Sequence, residues 1–153
     1  VEFRHRGRPL FVFLNHFNSK RGDEPLFGRR QPPYRDSEAR RAEQASVLAE
    51  FVQALFAVDP GARIVALGDF NDFEFAQSLR SLNEAGLRNL TESLPLMERY
   101  TYIHEGNAQA LDHIYVSDAL RAHSEYDIVH VNAEFPAEMR ASDHDPVLLR
   151  LKP

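Results

Sequence analysis

The sequence predicts an α/β fold in which helices cover a sheet, and three observations carry that expectation. The stretch Arg63 to Asp72 opens with an apolar run, Ile64 to Leu67, that is too short for an ordinary helix and partly β-branched, as a buried strand is. Ahead of it lies a long segment with apolar residues at helical spacing. Further strand-like runs bounded by turn residues flank both. Ligands in open α/β sheets gather outside the carboxyl ends of strands, so Asp69-Phe70-Asn71-Asp72, directly after Gly68, marks a candidate site. Taken by itself the cluster reads equally as a polar turn capping the next helix. Three other stretches repeat the design.

In chain order, Val1 to His5 alternates apolar and polar residues at its first four positions, as a half-buried strand does. Arg6-Gly7-Arg8-Pro9 turns the chain, and Leu10 to Leu14 is an apolar strand expected in the sheet centre, so the two form a hairpin. A polar cluster, Asn15 to Lys20, follows. Gly22 to Tyr34, with Pro25, Gly28, Pro32 and Pro33, reads as a loop. Asp36 or Ser37 caps a long helix whose stripe is Ala42, Ala45, Leu48, Ala49, Val52, Leu55 and Phe56, ended by Val58-Asp59-Pro60-Gly61. It reads as an ordinary amphipathic helix packed on a sheet, with no chemistry of its own. Phe75 to Glu84 is a second helix with Gly86 just beyond its end. Leu87 to Glu98 reads as loop with short elements. Tyr100 to His104 and Ala110 to Ser117 are expected to pair as a hairpin across Glu105-Gly106-Asn107. A helical turn at 117–120, a strand from Tyr126 to Val131, a loop from Glu134 to Ala141 and a closing strand from Pro146 to Leu151 complete the chain.

The 153 residues suffice for one domain with a core; a folded chain of this size buries roughly two-thirds of its unfolded surface. Cysteine is absent, which excludes disulfides and thiolate metal sites. No apolar run approaches the roughly 20 residues that span a bilayer, and no targeting leader is present. A net charge of -5 argues against a broad basic surface, although arginines crowd the region from Arg21 to Arg41. Lysine occurs only at Lys20 and Lys152. Arginine suits bidentate phosphate contacts, and a GC-rich genome produces the same bias. The chain starts at Val1 directly in strand-like sequence, as a piece of something longer does.

Four polar clusters adjoin strand-like sequence: Asn15-His16, Asp69-Phe70-Asn71, Asp112-His113 and Ser142-Asp143-His144-Asp145. Each contributes His, Asp or Asn, and none a nucleophilic Cys or Ser. Carboxylate and amide oxygens suit Mg²⁺, Mn²⁺ or Ca²⁺. Imidazole, with an unperturbed pKa of about 6.5, suits proton transfer at neutral pH. Together they match metal-assisted hydrolysis of a phosphate ester. Asp112 lies in a strand-like run, where an unpaired carboxylate is costly to bury, so it calls for a partner. His113, next to it on a strand, points to the opposite face and reads as structural or surface. His5, His104, His123 and His130 belong to none of the clusters.

In that order, Asn15-His16, Gly68-Asp69-Phe70-Asn71, Leu111-Asp112-His113-Ile114 and Ser142-Asp143-His144-Asp145-Pro146 resemble the endonuclease/exonuclease/phosphatase superfamily, the deoxyribonuclease I-like fold. NHFNSK at 15–20, FGRRQPPYR at 27–35, GDFNDFEF at 68–75, ERYTYIHEGNAQALDHIYVS at 98–117 and SDHDPV at 142–147 resemble its bacterial extracellular nuclease branch. The similarity runs through essentially the whole chain. It implies that His144 is a general base or holds the scissile phosphate, and that Asp112 pairs with His144 and fixes its tautomer. It further implies that Asp143 binds the divalent metal, that Asp69 and Asn71 position water and phosphate, and that His16 donates to the phosphate. Asn15, Lys20, Arg29 and Arg35, with Arg30 beside them, are the candidates for substrate binding; an exposed Arg-rich loop is equally often just solvated. Tyr34 or Phe27 is a candidate for stacking on a base.

Members of the superfamily begin with a first half that holds an Asn in an early strand and a Glu that is a principal metal ligand, and neither motif is present. Residues 1–153 therefore resemble the C-terminal portion of the domain: the second half of a four-layer α/β/β/α sandwich, one mainly antiparallel mixed sheet with covering helices and no facing sheet. The resemblance implies an incomplete metal site and an uncovered apolar sheet face that pairs with the missing half or with a second copy. It implies a nuclease that hydrolyses DNA or RNA with Mg²⁺, Mn²⁺ or Ca²⁺ in the intact parent, extracellular or at the cell surface, the fragment alone being weak or inactive. A phosphomonoesterase or phospholipid phosphodiesterase of the same superfamily is one alternative. A non-catalytic dimeric or nucleic-acid-binding fragment is another.

Overall fold

The computed structural model describes residues 1–25 and 28–152. Strands β1 (Glu2–His5) and β2 (Arg8–His16) form the expected antiparallel hairpin. β2 runs parallel to β3 (Ile64–Asp69), and the crossover between them is helix α1 (Asp36–Val58). Helix α2 (Gln77–Glu84) leads to a three-residue strand, β4 (Leu87–Asn89). Gly86, at φ +100°, ends α2 where an added Cβ would meet the Phe56 ring at 3.1 Å, so conformation and packing both favour glycine there. Strands β5 (Tyr102–His104) and β6 (Asn107–Gln109) precede β7 (Asp112–Ser117), which is followed by the short helix α3 (Asp118–Arg121). β8 (Ser124–Ile128) and β9 (Val147–Leu151) close the chain. The main sheet has the order β1-β2-β3-β7-β4, mixed and mainly antiparallel.

Alternation along the strands sorts the core into two layers. Ile64, Ala66 and Tyr115 face the helices, packing on Ala45, Leu48, Val52, Leu79 and Leu82. Val65, Ile114 and Val116 face the other way, against Tyr126, Val147, Leu149 and Leu151 of the β8–β9 ribbon. No helix among the described residues is long and apolar enough to cross a membrane.

Several local expectations are corrected. The hairpin across Gly106 joins β5 to β6, not to β7; β7 instead lies in the main sheet between β3 and β4. The N-terminus of α1 is capped by neither Asp36 nor Ser37: the Asp23 carboxylate accepts from the Ser37 amide at 3.1 Å and also from the Ser37 hydroxyl. Arg41, not Ala42, continues the inward stripe of α1. The second sheet face is not bare, because β8 and β9 cover its β3–β7 side; Val1, Phe3 and Leu14 on the β1–β2 side remain exposed.

Candidate active site

Three adjacent strands present polar side chains in one row. The ladder sets His16, the last residue of β2, opposite Asp69, the last of β3, and Asp69 opposite Asp112, the first of β7. His144 arrives from the segment before β9, whose backbone bridges Tyr102, and its ring stacks on the Tyr102 ring at 4.7 Å. Its Nδ1 lies 2.6 Å from Asp112 Oδ2, and the same oxygen accepts a hydrogen bond from Thr101 Oγ1 at 2.7 Å. Thr101 is fully buried; its Oγ1 also accepts from the Leu111 and Asp112 amides, each at 3.2 Å. A carboxylate at Nδ1 makes that nitrogen the donor and leaves the Nε2 lone pair free. The Asp112 hydrogen bond outweighs burial and holds the His144 pKa above its ordinary value.

Asp69 is gripped by Asn71, whose backbone amide donates to Oδ1 at 2.8 Å and whose Nδ2 donates to Oδ2 at 3.0 Å. Nδ2 of Asn71 also donates to the Phe17 carbonyl at 3.0 Å, and His16 Nε2 stands 3.7 Å from Asp69 Oδ2. Burial pushes the Asp69 carboxyl up and the Asp112 charge adds to this, against the Asn71 amide and the two histidines. Gly68 precedes it at φ +132°, and a Cβ there would fall 2.0 Å from the Asn15 carbonyl oxygen, so this approach of β2 to β3 admits only glycine.

Ligand atoms of Asp69, Asp112 and His144 lie within 4.8 Å of one another. Two carboxylates fit a hard divalent cation. His144 Nδ1 is committed to Asp112, so a cation here would be held by the carboxylates, and Nε2 remains available for a proton.

The structure gathers His16, Asp69, Asn71, Asp112 and His144. Asp143 is exposed and lies outside the converging group. Asn15 turns its amide to backbone, donating to Phe13 O at 3.1 Å and Leu67 O at 3.4 Å. Lys20 lines the cleft beside Asn71 and His144, its Nζ 3.3 Å from Asp72 Oδ1 and 3.8 Å from the Phe73 ring centroid. Arg29 lies with Glu24, Gly28 and Arg30 in the loop before α1. Arg35 precedes α1, 3.8 Å from Glu38. Tyr34 is exposed, and Phe27 lies outside the described residues. His113 is fully buried on the helix side, its Nε2 3.0 Å from the Asp72 carbonyl oxygen.

Three supports escaped the sequence. Thr101 sits unmarked within ERYTYIHEG. Asp72, in the quoted GDFNDFEF, takes hydrogen bonds from Arg41 Nε at 3.0 Å and Ser78 Oγ at 2.8 Å in the core. Asp145, in SDHDPV, accepts the Val131, Asn132 and Ala133 amides and lies 2.9 Å from His130 Nδ1, while Asn132 Nδ2 donates to the His144 carbonyl at 2.8 Å.

A helix-backed mixed sheet whose strand ends carry two carboxylates and a carboxylate-bound imidazole defines the hydrolytic class of deoxyribonuclease I-like proteins. The chain belongs to the Endonuclease/Exonuclease/phosphatase family, which matches residues 3–144. Truncated TDP2 of Caenorhabditis elegans superposes with a TM-score of 0.65 at 17% identity, covering 95% of this chain and 55% of that one. The 3'-5' exonuclease NExo of Neisseria meningitidis gives 0.66 at 20% identity, covering 92% and 60%. A mannosyl-6-phosphatase of Bacteroides thetaiotaomicron gives 0.61 at 21% identity, covering 95% and 52%. At these identities the likeness is one of fold, and the chain spans about half the length of the structures it matches. No curated protein sequence matches it significantly.

Proposed function

We propose that this site, completed by the rest of its domain, hydrolyses nucleic-acid phosphodiesters with a divalent cation. The observation that carries this is the 2.6 Å His144–Asp112 contact set against Asp69, which leaves one imidazole nitrogen free among carboxylates. His144 Nε2 takes the proton of the attacking water, and Asp112 fixes the tautomer and stabilises the imidazolium. Asn71 holds Asp69, which with it positions water and phosphate, and His16 donates to the phosphate as charge builds. Asp69 and Asp112 would hold a divalent cation, with Asp143 adding its charge nearby, and that cation would supply Lewis-acid polarisation of the phosphate; Mg²⁺, Mn²⁺ and Ca²⁺ all suit these oxygens. Further ligands and strands come from the remainder of the domain, which covers Val1, Phe3 and Leu14; a second copy is the other occupant of that face. An extracellular or cell-surface setting goes with this reading.

NExo has been solved with a product DNA hairpin, which supports a nucleic-acid substrate, whereas the Bacteroides neighbour is a sugar phosphatase. Nicking of supercoiled plasmid tests the reading. The intact parent is expected to nick with Mg²⁺, to lose this on chelation and with His144→Ala, and to leave 4-nitrophenyl phosphate nearly untouched. The 153 residues alone are expected to be weak or inactive. Cleavage of the monoester alone moves the assignment to a phosphatase; full nicking by His144→Ala overturns the mechanism.

A further inference from the structure

Beyond the catalytic row the cleft opens into a groove of about 1020 Å³ between the 73–75 loop and the β5–β6 hairpin. Phe73, His104 and Gln109 line both spaces, so the groove adjoins the cleft that holds His144. The groove lining is mixed, with one aromatic and apolar side formed by Phe73, Phe75, Leu96 and Met97. Phe73 and Phe75 stack with centroids 5.2 Å apart and planes 16° apart, and Phe75 is 66% exposed. Leu96 and Met97 on the same groove are 75% and 85% exposed. The charge runs against a phosphate backbone: Asp23, Glu74 and Glu105 line it. Its one arginine, Arg99, already donates to the Leu94 and Glu92 carbonyls at 2.8 Å each. Positive charge reaches the inner cleft at Arg21, which is exposed, whereas the Lys20 ammonium is buried against Asp72 and the Phe73 ring.

We infer that the groove takes unpaired bases of a nucleic-acid strand, stacked on Phe75 and packed on Met97, while that strand's phosphates pass Arg21. Every base has a π-face, so such a platform binds without reading sequence. Paired bases keep their faces inside the duplex, so the groove selects single strands or frayed ends. This rests on the nucleic-acid substrate proposed above and narrows it.

Fluorescence anisotropy of the 153-residue chain with a labelled single-stranded DNA, in EDTA so that nothing is cut, tests it. Two competitors of equal length are compared, a strand of abasic linkers and a blunt duplex. The natural strand is expected to bind about tenfold tighter than the abasic strand, the size of one base–aromatic stack. Phe75→Ala with Met97→Ala should erase that preference and leave abasic binding unchanged, and Phe75→Tyr should keep it. Equal binding of natural and abasic strands, preference for the duplex, or a preference that survives the double substitution overturns the inference. Because binding is read without cleavage, the two proposals fail separately. A base preference in the 153-residue chain, beside an intact parent that never nicks, leaves the groove and removes the nuclease; nicking by the parent without base preference does the reverse.

Discussion

Replacing Asp72 by Asn tests whether the loop carrying Asp69 and Asn71 is held from below by a buried ion pair. Arg41 and Asp72 are 2% and 5% exposed, and Nε lies 3.0 Å from Oδ2. The carboxylate also accepts from Ser78 Oγ at 2.8 Å and the Phe73 amide at 3.2 Å, with Lys20 Nζ at 3.3 Å. The amide keeps the shape but removes the countercharge and strands a guanidinium in the core. Removing one partner of a buried pair costs ~3–5 kcal/mol, out of a total stability of about 5–15. Arg41 keeps the Asn18 carbonyl at 3.1 Å and Ser37 Oγ at 2.7 Å, which places Asp72→Asn near the lower end, about 3 kcal/mol. Urea unfolding with linear extrapolation measures it. The pH dependence supplies a second readout. Burial pushes the Asp72 carboxyl up, but the Ser78 hydrogen bond and the Lys20 and Arg41 charges outweigh it and hold it below its ordinary value. Its folded pKa is thus below the unfolded one of about 3.9, so its contribution is full above that pH and is lost as pH falls through the folded value. Wild type should lose stability on acidification below about pH 4 more steeply than Asp72→Asn. A loss under about 1 kcal/mol, or identical acid profiles, refutes the argument.

Three further outcomes follow from the site. His144 must be neutral to accept a proton and its pKa is raised by Asp112, so the parent's rate should climb with pH through a value above about 6.5. Asp112→Asn should move that limb to lower pH and cut the maximal rate by roughly 10²-fold or more; a limb that stays in place sinks the pairing. Thr101→Val removes the donor to Asp112 and the acceptor of two amides, and should cost about 1–3 kcal/mol in urea as well as slowing the reaction. Thr101→Ser should restore both; failure to do so assigns the loss to packing. Gly68→Ala places a Cβ 2.0 Å from the Asn15 carbonyl and should destabilise by more than about 1 kcal/mol, read as a lower Tm; an unchanged Tm contradicts the close approach.

What was legible in the sequence is what local pattern encodes. The Ile64–Leu67 run located β3, the stripe from Ala45 to Val52 located α1, and the polar stretches at strand ends located the row of His16, Asp69 and Asp112. What escaped depends on partners distant in the chain. Two strand-like runs near one glycine turn do not say which residues pair, so the pattern joins Tyr100 to His104 with Ala110 to Ser117, although Asn107–Gln109 takes that place. Asp23 caps a helix thirteen residues downstream, beyond any local capping rule. Asp72 draws its meaning from Arg41, thirty-one positions earlier, which the sequence marks only as one of many arginines between Arg21 and Arg41.

The shared row of His16, Asp69 and Asp112 ties the chemistry to the phase of the sheet. These residues continue the alternation of Leu14, Leu67 and Ile114, so apolar packing and the proposed chemistry use the same parity of the chain. Deleting one residue from β2 upstream of Leu14, while the hydrophobic face holds its register, turns His16 toward the helices and brings Phe17 toward the strand's end. Drift by single residues is therefore closed to these strands, whereas loops such as 129–141 can change length without altering that parity.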